Sequence, residues 1–99
     1  MEIKIQTIHF EAGEKLQDYI QKRVSKLERF CDGIKTAEVS LKVIKPETAM
    51  NKETSIRLMV PGSELFAQKV GDTFEETVDQ CADTLTRQLE KYKEKQKKR

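Results

Sequence analysis

A two-layer α+β sandwich of order β-α-β-β-β-α is the fold class the sequence predicts. Three observations lead there. The chain alternates apolar and polar residues at its start, between about 35 and 45, and again between about 52 and 70. Two other stretches, 14–31 and 73–99, carry apolar residues at helical spacing. The last of these places Phe74, Val78, Cys81, Leu85, Leu89 and Tyr92 in one narrow arc when residues are set about 100° apart, so that helix must dock on a core.

In chain order, Met1 to Ile8 has Ile3 and Ile5 on one face, the pattern of a half-buried strand. His9, the single histidine, ends that strand with no second ligand candidate nearby and is read as a surface imidazole without a role. From Glu14 the period becomes helical, with Leu16, Tyr19, Ile20, Val24, Leu27, Phe30 and Cys31 on one side, and Asp32-Gly33 marks the stop. Around this helix, with Leu16 at 0°, Lys15, Lys22, Lys26 and Arg29 fall at about 220–280° and Glu14, Asp18 and Glu28 at about 120–200°. The bases thus form a stripe. Arg23, at about 340°, lies inside the apolar arc. Its stem can snorkel past Tyr19 and Phe30, or its guanidinium can enter a groove beside the helix to meet phosphate.

Lys35 to Lys45 alternates, with Ala37, Val39, Leu41 and Val43 facing inward, and Pro46 is expected to end that strand. A polar connection, 47–52, leads to a strand with Ile56, Leu58 and Val60 buried, expected to pair antiparallel with its predecessor. Pro61-Gly62-Ser63 is a turn, and Glu64 to Val70 makes the fourth strand. Asp72 or Thr73 can cap the final helix, with Glu76 three residues after Thr73 as in a capping box. Four strands with one apolar face need a cover, and both helices supply it from the same side.

Ninety-nine residues form one domain, 1–99, with room for one small core. Apolar and charged residues each make up 36% of the chain, a hydrophilic but patterned composition that argues for a fold. No stretch has the length of a membrane span and no signal-peptide core follows Met1, so a cytoplasmic location is expected. Cys31 and Cys81 stand at apolar helix positions without CxxC spacing, as buried free thiols.

Catalytic inventories are missing. There is no GxSxG, no GK[ST] phosphate loop and no Cys/His zinc spacing, so no enzyme activity, metal or cofactor is expected. Asp72, Glu75, Glu76, Asp79 and Asp83 cluster as metal-nuclease carboxylates would, but acids at a helix start already complement the macrodipole. From Arg87 onward there are seven bases against two acids, a local +5 on a chain of net +2. That excess goes beyond dipole complementation and addresses a polyanion. Arg87, Lys91, Lys95 and Lys98 fall at about 220–300° from Phe74 and form the second helix's stripe. The sheet's only aromatic candidate is Phe66, so base stacking in the manner of an RRM is not expected, and recognition should run through the helices, onto structured RNA.

The run Asp79-x-x-x-Asp83-x-Leu85-x-Arg87-Gln88-Leu89-x-Lys91-x-Lys93-x-Lys95, with Lys26-Leu27-Glu28 and Val39-x-Leu41, resembles the bacterial ribosome hibernation promoting factor and ribosome-associated inhibitor family, formerly the sigma-54 modulation protein family. The resemblance covers essentially the whole chain. One departure stands at Glu75, where an aromatic is often found; Phe74 is one place earlier. The resemblance implies a domain shaped like double-stranded RNA-binding domains that sits in the decoding channel of the small ribosomal subunit. There it would occlude messenger RNA and A- and P-site transfer RNA, silencing idle ribosomes in stationary phase or stress without catalysis. It further implies RNA-facing bases at Lys22, Arg23, Lys26, Arg29, Arg87, Lys91, Lys93, Lys95 and Lys98. The partners would be 16S-type ribosomal RNA and nearby ribosomal proteins, with no membrane and no small-molecule substrate. The free protein is expected to be a monomer of the short form, with a basic tail at about 93–99. The alternative is a regulatory module that binds a non-ribosomal protein through the acidic helix start at Glu75, Glu76 and Asp79.

Overall fold

A computed structural model describes residues 1–44 and 49–97, with side chains described through 95. Its elements follow the expected order: β1 (Glu2–Ile8), α1 (Glu14–Ser25) with a 310 turn (Lys26–Arg29), β2 (Thr36–Val43), β3 (Lys52–Val60), β4 (Ser63–Gly71) and α2 (Phe74–Lys97). The sheet order is β1-β2-β3-β4. β1 runs parallel to β2, with Ile5 beside Val39, which the intervening helix makes possible. β2–β3 and β3–β4 are antiparallel. Pro46, the expected end of β2, lies outside the described residues.

Period-two patterning sorts the sheet residues as expected. Ala37, Val39 and Leu41 of β2, Ile56, Leu58 and Val60 of β3, and Ala67 of β4 are buried on one face. Against them lie Ile20, Val24 and Leu27 from the first helical segment, and Phe74, Val78, Cys81, Leu85 and Leu89 from α2. α2 packs over β3 and β4, and α1 lies between it and β1. Cys31 and Cys81 are buried free thiols, and burial pushes the Cys81 thiol up to about 11.

The first helix departs from expectation at its end. α-helical winding stops at Ser25 and a 310 turn carries the chain through Arg29, closed by Phe30 N donating to Leu27 O at 3.0 Å. The tighter winding advances each residue by about 120° instead of 100°. Arg29 therefore swings about 60° from its extrapolated place and comes directly over Lys26, in line with the other bases of the helix.

Local chemistry holds α2 in place. Thr73 caps its start, accepting a hydrogen bond from Glu76 N at 3.1 Å. The buried hydroxyls of Thr77 and Thr54 satisfy each other at 2.8 Å, joining helix to β3. Gly71 is required here, because a Cβ would lie 2.9 Å from Thr77 Cγ2. The Phe74 ring is buried and stacks on Phe10 at 4.7 Å. Phe74 thus fills the helix-start packing site, and Glu75 is exposed. Between β3 and β4, Gly62 has φ +74°, the left-handed value that a turn of type II asks of the residue after proline.

Candidate nucleic-acid interface

Parallel packing of the two helices sets the geometry of the charged surface. Arg23, placed by its position within the apolar arc of α1, enters the groove between the helices and meets α2. Its Nε donates to Asp79 Oδ1 at 3.0 Å and its Nη2 to Asp83 Oδ1 at 2.8 Å. Tyr19, one turn earlier, offers a hydrogen bond to the same Asp79 carboxylate; that bond, with burial second, raises the phenol above its ordinary value. The groove foreseen for the Arg23 guanidinium is real, but two carboxylates of its own chain occupy the guanidinium there. Asp79 and Asp83 therefore have a partner as well as a helix dipole.

This clamp carries a measurable prediction. Arg23 is 25% exposed and Asp79 and Asp83 are 45% and 62% exposed, so solvent screening reduces the contribution of the two ion pairs. Arg23→Ala is expected to cost about 1 kcal/mol of stability, and Asp83→Asn in the Ala background should cost almost nothing more. A double-mutant cycle by urea denaturation measures it; strict additivity would show that the clamp holds nothing.

The other predicted bases are placed differently. Lys22, Lys26, Arg29, Arg87, Lys91, Lys93 and Lys95 are all exposed. Among the described residues none of them forms an ion pair, in contrast to Arg23. Lys98 lies outside the described residues. Around α2, Asp79 and Asp83 fall at about 140–180° and Arg87, Lys91 and Lys95 at about 220–300°. The acidic pair faces α1, whereas Lys91 and Lys95 border Ser63 and Leu65 of β4. The acidic pair thus lies at the level of Tyr19 and Arg23, and the basic row of α2 begins one turn beyond it, at Arg87. Lys93, at about 100°, projects to the flank opposite the row.

Two hydrogen bonds fix the α2 row against the sheet. Gln88 Nε2 donates to Phe66 O at 2.9 Å on the open edge of β4, and Tyr92 Oη donates to Pro61 O at 2.6 Å. Neither tie was foreseen: Tyr92 stands in the apolar arc of the helix, and Gln88 entered only as part of the family-like run. The other sheet face is open and mixed in charge, with Arg57 between Glu38 and Glu64 at 3.7 Å each and 6.0 Å from the Phe66 ring centroid. Among the described residues no group of His, Cys, Asp and Glu could hold a metal ion. No described helix is long and apolar enough to cross a membrane.

Comparison with known proteins agrees with this architecture. Residues 3–97 match the model of the family described as sigma 54 modulation protein / S30EA ribosomal protein. A ribosome hibernation promoting factor of Pseudomonas putida is 32% identical over 96 residues, spanning 97% of this chain and 90% of that protein. One from Escherichia coli K12 is 32% identical over 97 residues, spanning 98% of each. Among solved structures, a ribosomal subunit interface protein from Coxiella burnetii superposes with a TM-score of 0.84 at 25% identity, over 94% of this chain and 98% of that one. The N-terminal domain of Thermus thermophilus Protein Y shares the fold, with a TM-score of 0.81 at 22% identity over 93% and 99%. With a family match across nearly the whole chain and relatives of the same length, this chain belongs to the sigma 54 modulation protein / S30EA ribosomal protein family.

Proposed function

We infer that this protein binds the ribosome and holds it in hibernation by occupying the decoding channel of the small subunit, in competition with messenger RNA and A- and P-site transfer RNA. Its relatives are named for ribosome hibernation and for the ribosomal subunit interface, which supports ribosome binding as the activity. The observation that carries the finer reading is the set of exposed bases on a helical layer that form no ion pair among the described residues, above all Arg87, Lys91 and Lys95. Such a surface neutralises phosphates with little rearrangement, and release of their counterions drives association.

Inhibition then needs no catalytic step. A folded domain lodged in the channel excludes other ligands by mass action. The site of action is the cytoplasm, the free protein is a monomer, and the RNA contacts come from Lys22, Lys26 and Arg29 on the first helical segment and Arg87, Lys91 and Lys95 on the second helix. Lys93 and Lys98 extend the basic tail. Arg23 supports these contacts indirectly, by fixing α1 against α2. A non-ribosomal partner at the acidic helix start is not favoured, because Asp79 is already engaged by Arg23 and Tyr19.

Sedimentation with purified small subunits across a salt series tests the reading. Co-sedimentation should weaken steeply with salt and be displaced by messenger RNA with initiator transfer RNA. Absence of co-sedimentation at every salt concentration would overturn it, and salt-insensitive binding would point to a largely apolar protein interface.

A further inference from the structure

Between the last turns of α2 and the start of β4 runs a groove of about 220 Å³, lined by Ser63, Leu65, Gln88, Lys91, Tyr92 and Lys95. Its two sides differ in chemistry. Leu65 and the Tyr92 ring, both half-buried, supply an apolar wall. Lys91 and Lys95, one helical turn apart and exposed, place two ammonium groups on the rim, and no carboxylate is among the described lining residues. The groove is also preformed: the Tyr92 hydroxyl is tied to Pro61 O, Gln88 to Phe66 O, and the turn between them is set by Gly62.

We propose that this groove takes one unpaired nucleotide of the bound RNA, its base lying against Tyr92 and Leu65 and its phosphates meeting Lys91 and Lys95. Duplex backbone alone would need the lysines and gain nothing from an apolar slot behind them. A nucleotide matches both halves, because every base has an apolar face and carries an anionic link on either side. Gln88 and Ser63 add polar groups at the border, without the paired geometry that would read one base over another. The groove therefore selects unstacked nucleotides over duplex, and it is indifferent to sequence. The inference rests on the RNA-binding reading above and assigns that reading a specific contact.

The test uses the full chain and three probes: a fluorescent single-stranded uridine hexanucleotide, the same backbone with abasic sites, and a hexaglutamate peptide. The uridine strand should bind about tenfold more tightly than the abasic strand, the increment of one stacked base. Ser63→Tyr, which fills the groove and leaves both lysines, should erase that difference while the salt slope stays as in the wild type. Because the variant could disturb the turn, wild-type protein also provides a direct reading: methyl signals of Leu65 and ring signals of Tyr92 should shift with the uridine strand and stay still with the abasic one. Equal affinity for uridine and abasic strands, or equally tight binding of hexaglutamate, would overturn the groove assignment. That result could coexist with salt-sensitive binding to small subunits, so failure of the groove and failure of the ribosome reading are separately visible.

Discussion

Reversing charge at Arg87 and Lys91 together should lower affinity for the small ribosomal subunit by about two orders of magnitude at moderate salt. Both side chains are exposed, neither is in an ion pair among the described residues, and they stand one turn apart on α2, with Lys91 bordering β4. If each neutralises a phosphate, its loss reduces the slope of log affinity against log salt by about 0.7–0.9, so the double variant should be flatter by about 1.4–1.8. Acidic replacements add repulsion to the lost attraction. The fold should persist, because neither side chain contributes to the core or to the ties at Gln88 and Tyr92. Sedimentation across a salt series measures affinity and slope together, and circular dichroism checks the fold. Lys93→Glu, on the opposite flank, is the internal comparison and should lose much less. Wild-type affinity in the double variant would remove this row from the interface.

Truncating Leu85 to Ala should cost about 2–5 kcal/mol of stability. Leu85 is fully buried at the centre of the face that α2 presents to the sheet, among Val78, Cys81 and Leu89. Removing its methyl groups forfeits their transfer energy and leaves a cavity that a close-packed interior only partly closes. For a domain of this size the total stability is only about 5–15 kcal/mol, and each kcal/mol shifts the melting temperature by about 4–8 °C. A fall of roughly 10 °C or more is therefore expected. Urea titration should show the lower midpoint at an unchanged m-value. A loss below about 1 kcal/mol would mean that α2 is not docked through Leu85. Function is coupled to this term, since the same docking presents Arg87 and Lys91 outward.

Much of the fold was legible because its signals are local. Alternation at Ala37, Val39 and Leu41 and helical spacing from Phe74 to Leu89 each mark which side chains must leave water, and the structure buries all of them. The Thr73 cap and the Pro61-Gly62 turn are equally local, each decided within four residues. The end of the first helix was less legible: apolar spacing continues to Cys31, yet the last turn tightens to 310 geometry, because periodicity records burial and not hydrogen-bond register. For the site, the residue types and their helices could be read, since an excess of bases beyond Arg87 needs no partner to be noticed. Arg23 could not be resolved in the same way. Its place inside an apolar arc announced an unusual role, but the carboxylate that receives it lies 56 residues away.

By itself, then, the sequence determined the element order, the inward face of each strand and helix and the concentration of positive charge on the last helix. These follow from hydrophobic periodicity and charge count, which are properties of neighbours along the chain. Only the tertiary structure decided that β1 pairs parallel to β2, that Asp79 and Asp83 hold Arg23 between the helices, and that Lys91 and Lys95 border an apolar groove against Leu65. The physical reason is the range of the interactions. A contact between side chains distant in sequence is set by how two helices settle on one sheet, and no period along the chain encodes which flank of each helix then faces the other.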